Sequence, residues 1–145
     1  MTLVLDASVA LCWFLKDGRP VDRDLAQRAL DALKQPGTRA LVPATWSLEV
    51  ANVITRAEAK GLINEAQGEA FVEMLNGLDI DTDSSTASRA LSETLQVARR
   101  HRLSSYDASY LELAMRAGLP LATLDRDLRK AADKAGVKAF RGPAP

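Results

Sequence analysis

The chain has 145 residues, 47% of them hydrophobic, and its 19 Lys and Arg are balanced by 19 Asp and Glu. That length is enough for one folded domain that buries roughly 70% of its unfolded surface without disulfides or a structural metal, and the balance of charge excludes a generally basic nucleic-acid-coating protein. No basic residue precedes the first apolar run, which argues against a secretory signal, and no stretch approaches the roughly eighteen apolar residues of a membrane span.

Thr2 to Leu5 reads as a short buried strand, and Ala7 to Lys16 as a mostly apolar helix stopped by Asp17-Gly18-Arg19-Pro20. The single cysteine, Cys12, lies within Val9-Ala10-Leu11-Cys12-Trp13-Phe14, where it reads as a small buried hydrophobe in a reducing, cytoplasmic compartment. A second helix, from about Val21 to Lys34, spaces Leu25, Ala29, Leu30 and Leu33 at helical intervals and ends at Gln35-Pro36-Gly37. Ala40-Leu41-Val42-Pro43 is a second strand.

Thr45 is a candidate N-cap for a helix running to Lys60, with Trp46, Val50, Val53, Ile54 and Ala57 as its buried stripe. A fourth helix spans Asn64 to Asn76, and Ile80 marks a short strand. Ser85 to His101 reads as one long helix, and Ser105 to Ala117 as another that ends at Gly118. Leu119 to Leu124 is a strand, Asp125 to Ala135 a helix stopped by Gly136, and Val137 to Phe140 a last short strand. Strands alternating with helices imply crossover connections and a parallel sheet covered on both faces, an α/β fold. Residues 1–140 are expected to form one domain, with residues 141–145 as a frayed tail.

Four acids stand out within this order. Asp6 ends the run Leu3-Val4-Leu5, Glu49 lies near the start of the third helix, Asp107 near the start of the sixth, and Asp125 follows Leu121-Ala122-Thr123-Leu124. Each has an ordinary explanation. Asp6 and Asp125 stand just before helices, where an aspartate caps free amides, and Ser104 with Asp107 has the spacing of a capping box. Asp107 fits that reading less well, because Ala108, Leu111, Ala114 and Met115 put the apolar stripe on its own side, where a charge needs a partner. Glu49 lies about sixty degrees off the centre of its stripe, by the helical period, and no residue four positions away pairs with it.

Taken together, the βα pattern brings these acids toward one end of the sheet. Clustered carboxylates raise each other's pKa unless a cation sits among them. Hard oxygen donors suit Mg²⁺ or Mn²⁺, and such an ion can polarise a phosphate and generate hydroxide from water. With these four acids set aside as neutralised, 15 acidic residues face 19 basic ones, an excess that tolerates RNA.

Four segments carry a family resemblance: Leu3-Val4-Leu5-Asp6-Ala7-Ser8, Leu48-Glu49-Val50-Ala51-Asn52, Leu103-Ser104-Ser105-Tyr106-Asp107-Ala108-Ser109-Tyr110, and Leu121-Ala122-Thr123-Leu124-Asp125-Arg126-Asp127-Leu128. In that order the chain resembles the PIN-domain ribonucleases, specifically the VapC toxins of bacterial toxin–antitoxin pairs. The resemblance implies a three-layer fold with four or five parallel strands flanked by about seven helices. It also implies a homodimer, dependence on Mg²⁺ or Mn²⁺, RNA as substrate, and inhibition by a cognate antitoxin seated in the acidic groove. Asp6, Glu49, Asp107 and Asp125 match the family's acidic quartet, which ligates metal directly or through water. Ser8 and Thr123 match its polar helpers. Asp127 is an alternative ligand, since either acid of such a pair can face the metal. Asn52 matches a common polar position, with an exposed helix residue as the plain alternative.

Arg99-Arg100-His101-Arg102 closes the long helix. Positive charge at a helix C-terminus is favourable by about 0.3–1 kcal/mol each; alternatively Arg99, Arg100 or Arg102 holds an RNA phosphate, as Arg126 beside Asp125 also could. His101 is not needed as a base, because metal-activated water replaces one. Trp13, Phe14 and Trp46 read as core or dimer-interface residues, with base stacking as the alternative.

The leading expectation is therefore a metal-dependent endoribonuclease in which Asp6, Asp107 and Asp125 anchor one ion and Glu49 helps hold it or a second. Structure-specific DNA cleavage is a variant of that expectation. A rival is an aspartyl-phosphate phosphatase or phospho-receiver, although Ala7-Ser8-Val9 lacks the second acid such phosphatases show. A further rival is a non-catalytic dimeric module whose acidic groove captures a basic peptide.

Overall fold

The computed structural model describes residues 1–143. In chain order its elements are β1 (Thr2–Leu5), α1 (Ala7–Leu15), α2 (Pro20–Leu33), β2 (Arg39–Val42), α3 (Trp46–Ala59), α4 (Glu65–Asn76), β3 (Ile80–Thr82), α5 (Thr86–Arg89), a π turn (Ala90–Thr94), α6 (Leu95–His101), α7 (Ser105–Ala117), β4 (Leu121–Ala122) and α8 (Arg126–Lys134). All strand pairs are parallel, in the order β3-β2-β1-β4. Leu3, Val4 and Leu5 are fully buried, as a central strand covered on both faces requires.

The chain winds from β1 outward through β2 to β3, then returns past β1 to add β4. Winding direction therefore reverses between β1 and β4, and a crevice opens beyond their carboxyl ends. The helices complete a three-layer α/β fold: α7 packs on β1, β4 and α8, while α1 packs on α2 and α3. Phe14 stacks on Phe71 of α4 with centroids 4.4 Å apart, and Trp13 donates its indole N–H to the Ala26 carbonyl at 2.7 Å. Trp13 and Phe14 are partly buried against the core, whereas Trp46 is buried within it. These aromatic residues thus fill or flank the core, and Cys12 is buried.

Three expected elements differ in detail. The strand expected over Leu119–Leu124 contracts to Leu121–Ala122: Pro120 has no N–H to give, although its carbonyl still accepts from the Val4 N–H at 2.9 Å, and beyond Ala122 the chain turns to bring Thr123 onto Asp6. The expected fifth strand, Val137–Phe140, is a single bridge between Leu121 and Ala139, since a two-residue partner offers no longer edge. The helix expected over Ser85–His101 is interrupted by the π turn, which begins directly after Arg89. Arg89 reaches inward to Glu112, which is 5% exposed and also accepts from Arg116 Nε at 2.8 Å. Arg116 in turn reaches Asp83 at 2.7 Å, which ties the segment after β3 to α7. The π turn thus begins directly after Arg89, where the chain enters this ion network.

Among the described residues no helix is long and apolar enough to cross a membrane. Of the expected tail, Arg141 offers its carbonyl to Arg28, and residues 144–145 lie outside the described residues.

Candidate functional site

In a parallel βα arrangement every helix that follows a strand begins at the sheet's carboxyl edge, and a helix that leads back into a strand begins there too. Asp6 is the N-cap residue of α1 directly after β1, Glu49 lies in the first turn of α3, Asp107 in the first turn of α7, and Asp125 is the N-cap residue of α8. All four acids therefore stand at helix N-termini, whose partial positive charge offsets some of their mutual repulsion.

The ordinary capping account does not suffice for Asp6, although the Ser8 backbone N–H favours its charged form. Its side chain makes no capping hydrogen bond to α1. Instead, Oδ2 accepts from Ser8 Oγ at 2.6 Å and from Thr123 Oγ1 at 2.7 Å. Those hydroxyls in turn accept from the backbone N–H groups of Leu124 at 3.1 Å and Asp125 at 3.0 Å. A hydroxyl has one proton to give, so both protons are aimed at Asp6. Asp6 is also tied to β4 through its own N–H, which donates to the Ala122 carbonyl at 2.9 Å. Burial raises its carboxyl pKa; the two hydroxyls oppose that rise and the neighbouring Asp125 adds to it.

Asp125, in contrast, does cap: Oδ1 accepts from the Leu128 N–H at 2.8 Å. Thr45 occupies the N-cap position of α3 but its side chain caps nothing. It points to Glu49, whose Oε1 accepts from Thr45 Oγ1 at 3.4 Å and from the Tyr110 hydroxyl at 3.0 Å. Glu49 is raised by burial, with Asp6 and Asp107 adding to the rise. Ser104 caps α7 through the Asp107 N–H at 3.1 Å, half of the expected capping box. The Asp107 carboxyl is pushed up to about 6 by burial, then by Asp125 and Asp6, with Asp127 contributing. Ala108, Leu111 and Ala114 are buried as its stripe requires, while Met115 is exposed.

These mutual effects show that the fold brings Asp6, Glu49, Asp107 and Asp125 into one electrostatic neighbourhood. Among the described residues no three Asp, Glu, His or Cys side chains converge closely enough to hold an ion as they stand. The donor set nevertheless suits a hard cation that keeps part of its water shell, as Mg²⁺ does: carboxylates and hydroxyls only, around a partly solvated crevice.

The remaining candidates fall into two groups. Ser8 and Thr123 act on Asp6 directly, and Asp127 lies exposed in the first turn of α8 within range of Asp107. Asn52 is exposed one turn beyond Glu49. Arg126 is exposed beside Asp125, and Arg99, Arg100 and Arg102 are exposed at the end of α6. Arg100 and His101 line a separate groove of about 580 Å³ with Arg89, Val97 and Met115, away from the four acids. Tyr110 was not among the site residues expected from sequence, although it lies one turn beyond Asp107 and closes one of the four segments that carry the resemblance.

A family model described as PIN domain matches residues 3–134, a span that includes all four acids. The chain is 29% identical over 128 residues to ribonuclease VapC3 of Pyrobaculum aerophilum, covering 88% of this chain and 92% of that protein. Among solved structures, the crystal structure of PAE2754 from Pyrobaculum aerophilum aligns with a TM-score of 0.62 and 23% identity, over 90% of this chain and 87% of that one. The crystal structure of FitAcB from Neisseria gonorrhoeae aligns with a TM-score of 0.58 and 19% identity, over 97% of each chain. At those identities the two structures speak to the fold alone.

Proposed function

This chain belongs to the PIN-domain family, and on that premise we propose that it is a Mg²⁺- or Mn²⁺-dependent endoribonuclease, the toxin of a cytoplasmic toxin–antitoxin pair. Family membership and the likeness to a protein named ribonuclease VapC3 support a nuclease. The observation that carries the metal-dependent part is the coupling of four carboxylates across the crevice between β1 and β4, with Asp107 pushed up to about 6.

In this reading Asp6, Asp107 and Asp125 hold a divalent ion, Glu49 helps hold it or a second, and Asp127 is the alternative to Asp125. A bound ion supplies charge stabilisation to the scissile phosphate and an activated water. Ser8 and Thr123 hold Asp6 in one orientation, which limits the rearrangement needed on binding. Arg126, exposed beside Asp125, would meet an RNA phosphate, with Asn52, exposed one turn beyond Glu49, as a further polar contact; Arg99, Arg100 and Arg102, exposed at the end of α6, are additional candidates for RNA contact outside the acidic crevice. The cognate antitoxin and a second copy of the chain are the partners this reading entails.

Family membership argues against the phospho-receiver and phosphatase alternative, as does the engagement of one Asp6 oxygen by two hydroxyls. The test is cleavage of RNA by the purified protein with Mg²⁺ or Mn²⁺. Cleavage that is absent, or that persists unchanged in EDTA and in Asp6→Asn, sinks the mechanism. Single-stranded DNA run alongside separates the DNA-cleaving variant, and turnover separates a nuclease from a module that only binds peptide.

A further inference from the structure

Asp6 and Glu49 are restrained in related ways, Asp6 by two short hydroxyl bonds and Glu49 by one bond from Tyr110 and a longer contact from Thr45. Two hydroxyls converge on one oxygen of each: Ser8 and Thr123 on Oδ2 of Asp6, Tyr110 and Thr45 on Oε1 of Glu49. A carboxylate oxygen has two lone pairs. The protein therefore engages one oxygen of each carboxylate, Oε1 of Glu49 chiefly through Tyr110 because Thr45 stands at 3.4 Å, and aims neither hydroxyl at the other, Oδ1 or Oε2. Asp125 follows in part, since Oδ1 is engaged by the Leu128 amide.

Tyr110 is the part of this arrangement that the nuclease reading does not use. It is fully buried on α7 and its hydroxyl reaches across to α3, joining residues 61 positions apart. A buried phenol needs an acceptor, but the core could have supplied a carbonyl. It supplies instead a carboxylate of the acidic site.

Resting on the metal-site reading above, we propose that Tyr110 is a positioning residue that confines Glu49 to single-oxygen ligation and so makes the site select Mg²⁺ or Mn²⁺ over Ca²⁺. The physical reason lies in coordination number. Mg²⁺ takes six ligands at about 2.0–2.1 Å and retains waters, whereas Ca²⁺ takes six to eight and draws on carboxylates that give both oxygens. Carboxylates that each offer one oxygen complete an octahedron with water but do not supply the extra ligands that favour Ca²⁺. Removing the Tyr110 hydroxyl returns a lone pair of Oε1 to the site.

A merely structural hydroxyl predicts something different: Tyr110→Phe lowers stability and leaves ion preference alone. The deciding experiment is calorimetric titration of Mn²⁺ and of Ca²⁺ into the metal-free full-length protein and into Tyr110→Phe, with thermal melts to confirm folding. We expect wild type to favour Mn²⁺ and Tyr110→Phe to lower the Mn²⁺/Ca²⁺ affinity ratio about tenfold, the lower end of effects from groups that orient ligands. Thr45→Val removes the other donor to Oε1 and shifts the ratio in the same direction, which keeps the test decisive if Tyr110→Phe does not fold. A ratio unchanged in the folded variant overturns the proposal. RNA cleavage measured on the same wild-type preparation separates the two readings: selective Mn²⁺ binding without cleavage refutes the nuclease and spares the clamp, while cleavage with an unchanged ratio refutes the clamp alone. Failure of wild type to bind either ion overturns both.

Discussion

Thr123 Oγ1 stands 2.7 Å from Oδ2 of Asp6, a contact between residues 117 positions apart that bridges β1 and β4 at the base of their crevice. Because Thr123 also accepts from the Asp125 N–H, one hydroxyl couples two of the four acids.

Thr123→Val keeps the shape of the buried residue and removes that coupling. Leaving the Asp6 oxygen short of a donor costs about 1–3 kcal/mol of stability, and loss of orientation lowers RNA cleavage by about 10–100-fold. Thr123→Ser restores most of both. Urea unfolding and initial cleavage rates check this; a fully active Thr123→Val shows that Asp6 needs no such restraint.

Stability should respond to pH and metal together. The Asp107 carboxyl titrates near 6 in the folded metal-free protein against 3.8 in the unfolded chain, so between these values the folded state binds more protons. Stability from this group is thus present at low pH and is lost as pH rises from about 4 to about 6. Asp6 and Glu49 are raised as well and act in the same sense. Asp22, lowered chiefly by its hydrogen bond from Arg19, acts in the opposite sense, as does Asp83, where burial is outweighed by Arg116 and nearby donors. The measurement is therefore the difference between wild type and Asp107→Asn. Mn²⁺ should raise the wild-type melting temperature more at pH 7.5 than at pH 5, and should raise that of Asp107→Asn much less. Equal Mn²⁺ shifts at the two pH values contradict competition between proton and metal.

The Arg89–Glu112–Arg116–Asp83 network should prove structural. Glu112→Ala strands two arginines, a change that costs about 3–5 kcal/mol for a buried pair. The loss should fall toward the lower end, because the Arg89 and Arg116 side chains remain 35% and 25% exposed. Cleavage per folded molecule should stay near wild type. Denaturant unfolding and an activity assay at low temperature separate the two effects, and a large drop in specific activity without loss of stability contradicts the assignment.

How far the chain was legible can be argued from particular residues. Leu3-Val4-Leu5 and Leu121-Ala122 announce buried parallel strands by composition, and an acid directly after such a run is placed at the carboxyl edge by topology alone. The phases of α3 and α7 mark Glu49 and Asp107 as acids close to apolar stripes. Val137–Phe140 reads as a strand for the same local reasons, and is reduced to one bridge because the β4 edge beside it is two residues long. Asp6 reads as a cap from its position before α1, and that reading does not suffice because Ser8 and Thr123 compete successfully for its carboxylate.

Periodicity, turn residues and strand-terminal acids are local properties, carried by spacing along a few turns of chain, and they are sufficient for the α/β architecture and for placing four acids at helix N-termini near its carboxyl edge. The partners of those acids are not local. Tyr110 on Glu49, Thr123 on Asp6 and Arg89 on Glu112 depend on how α7 docks against α3, β1 and the π turn, and that docking is settled by the packing of whole elements rather than by any stretch of residues read in order.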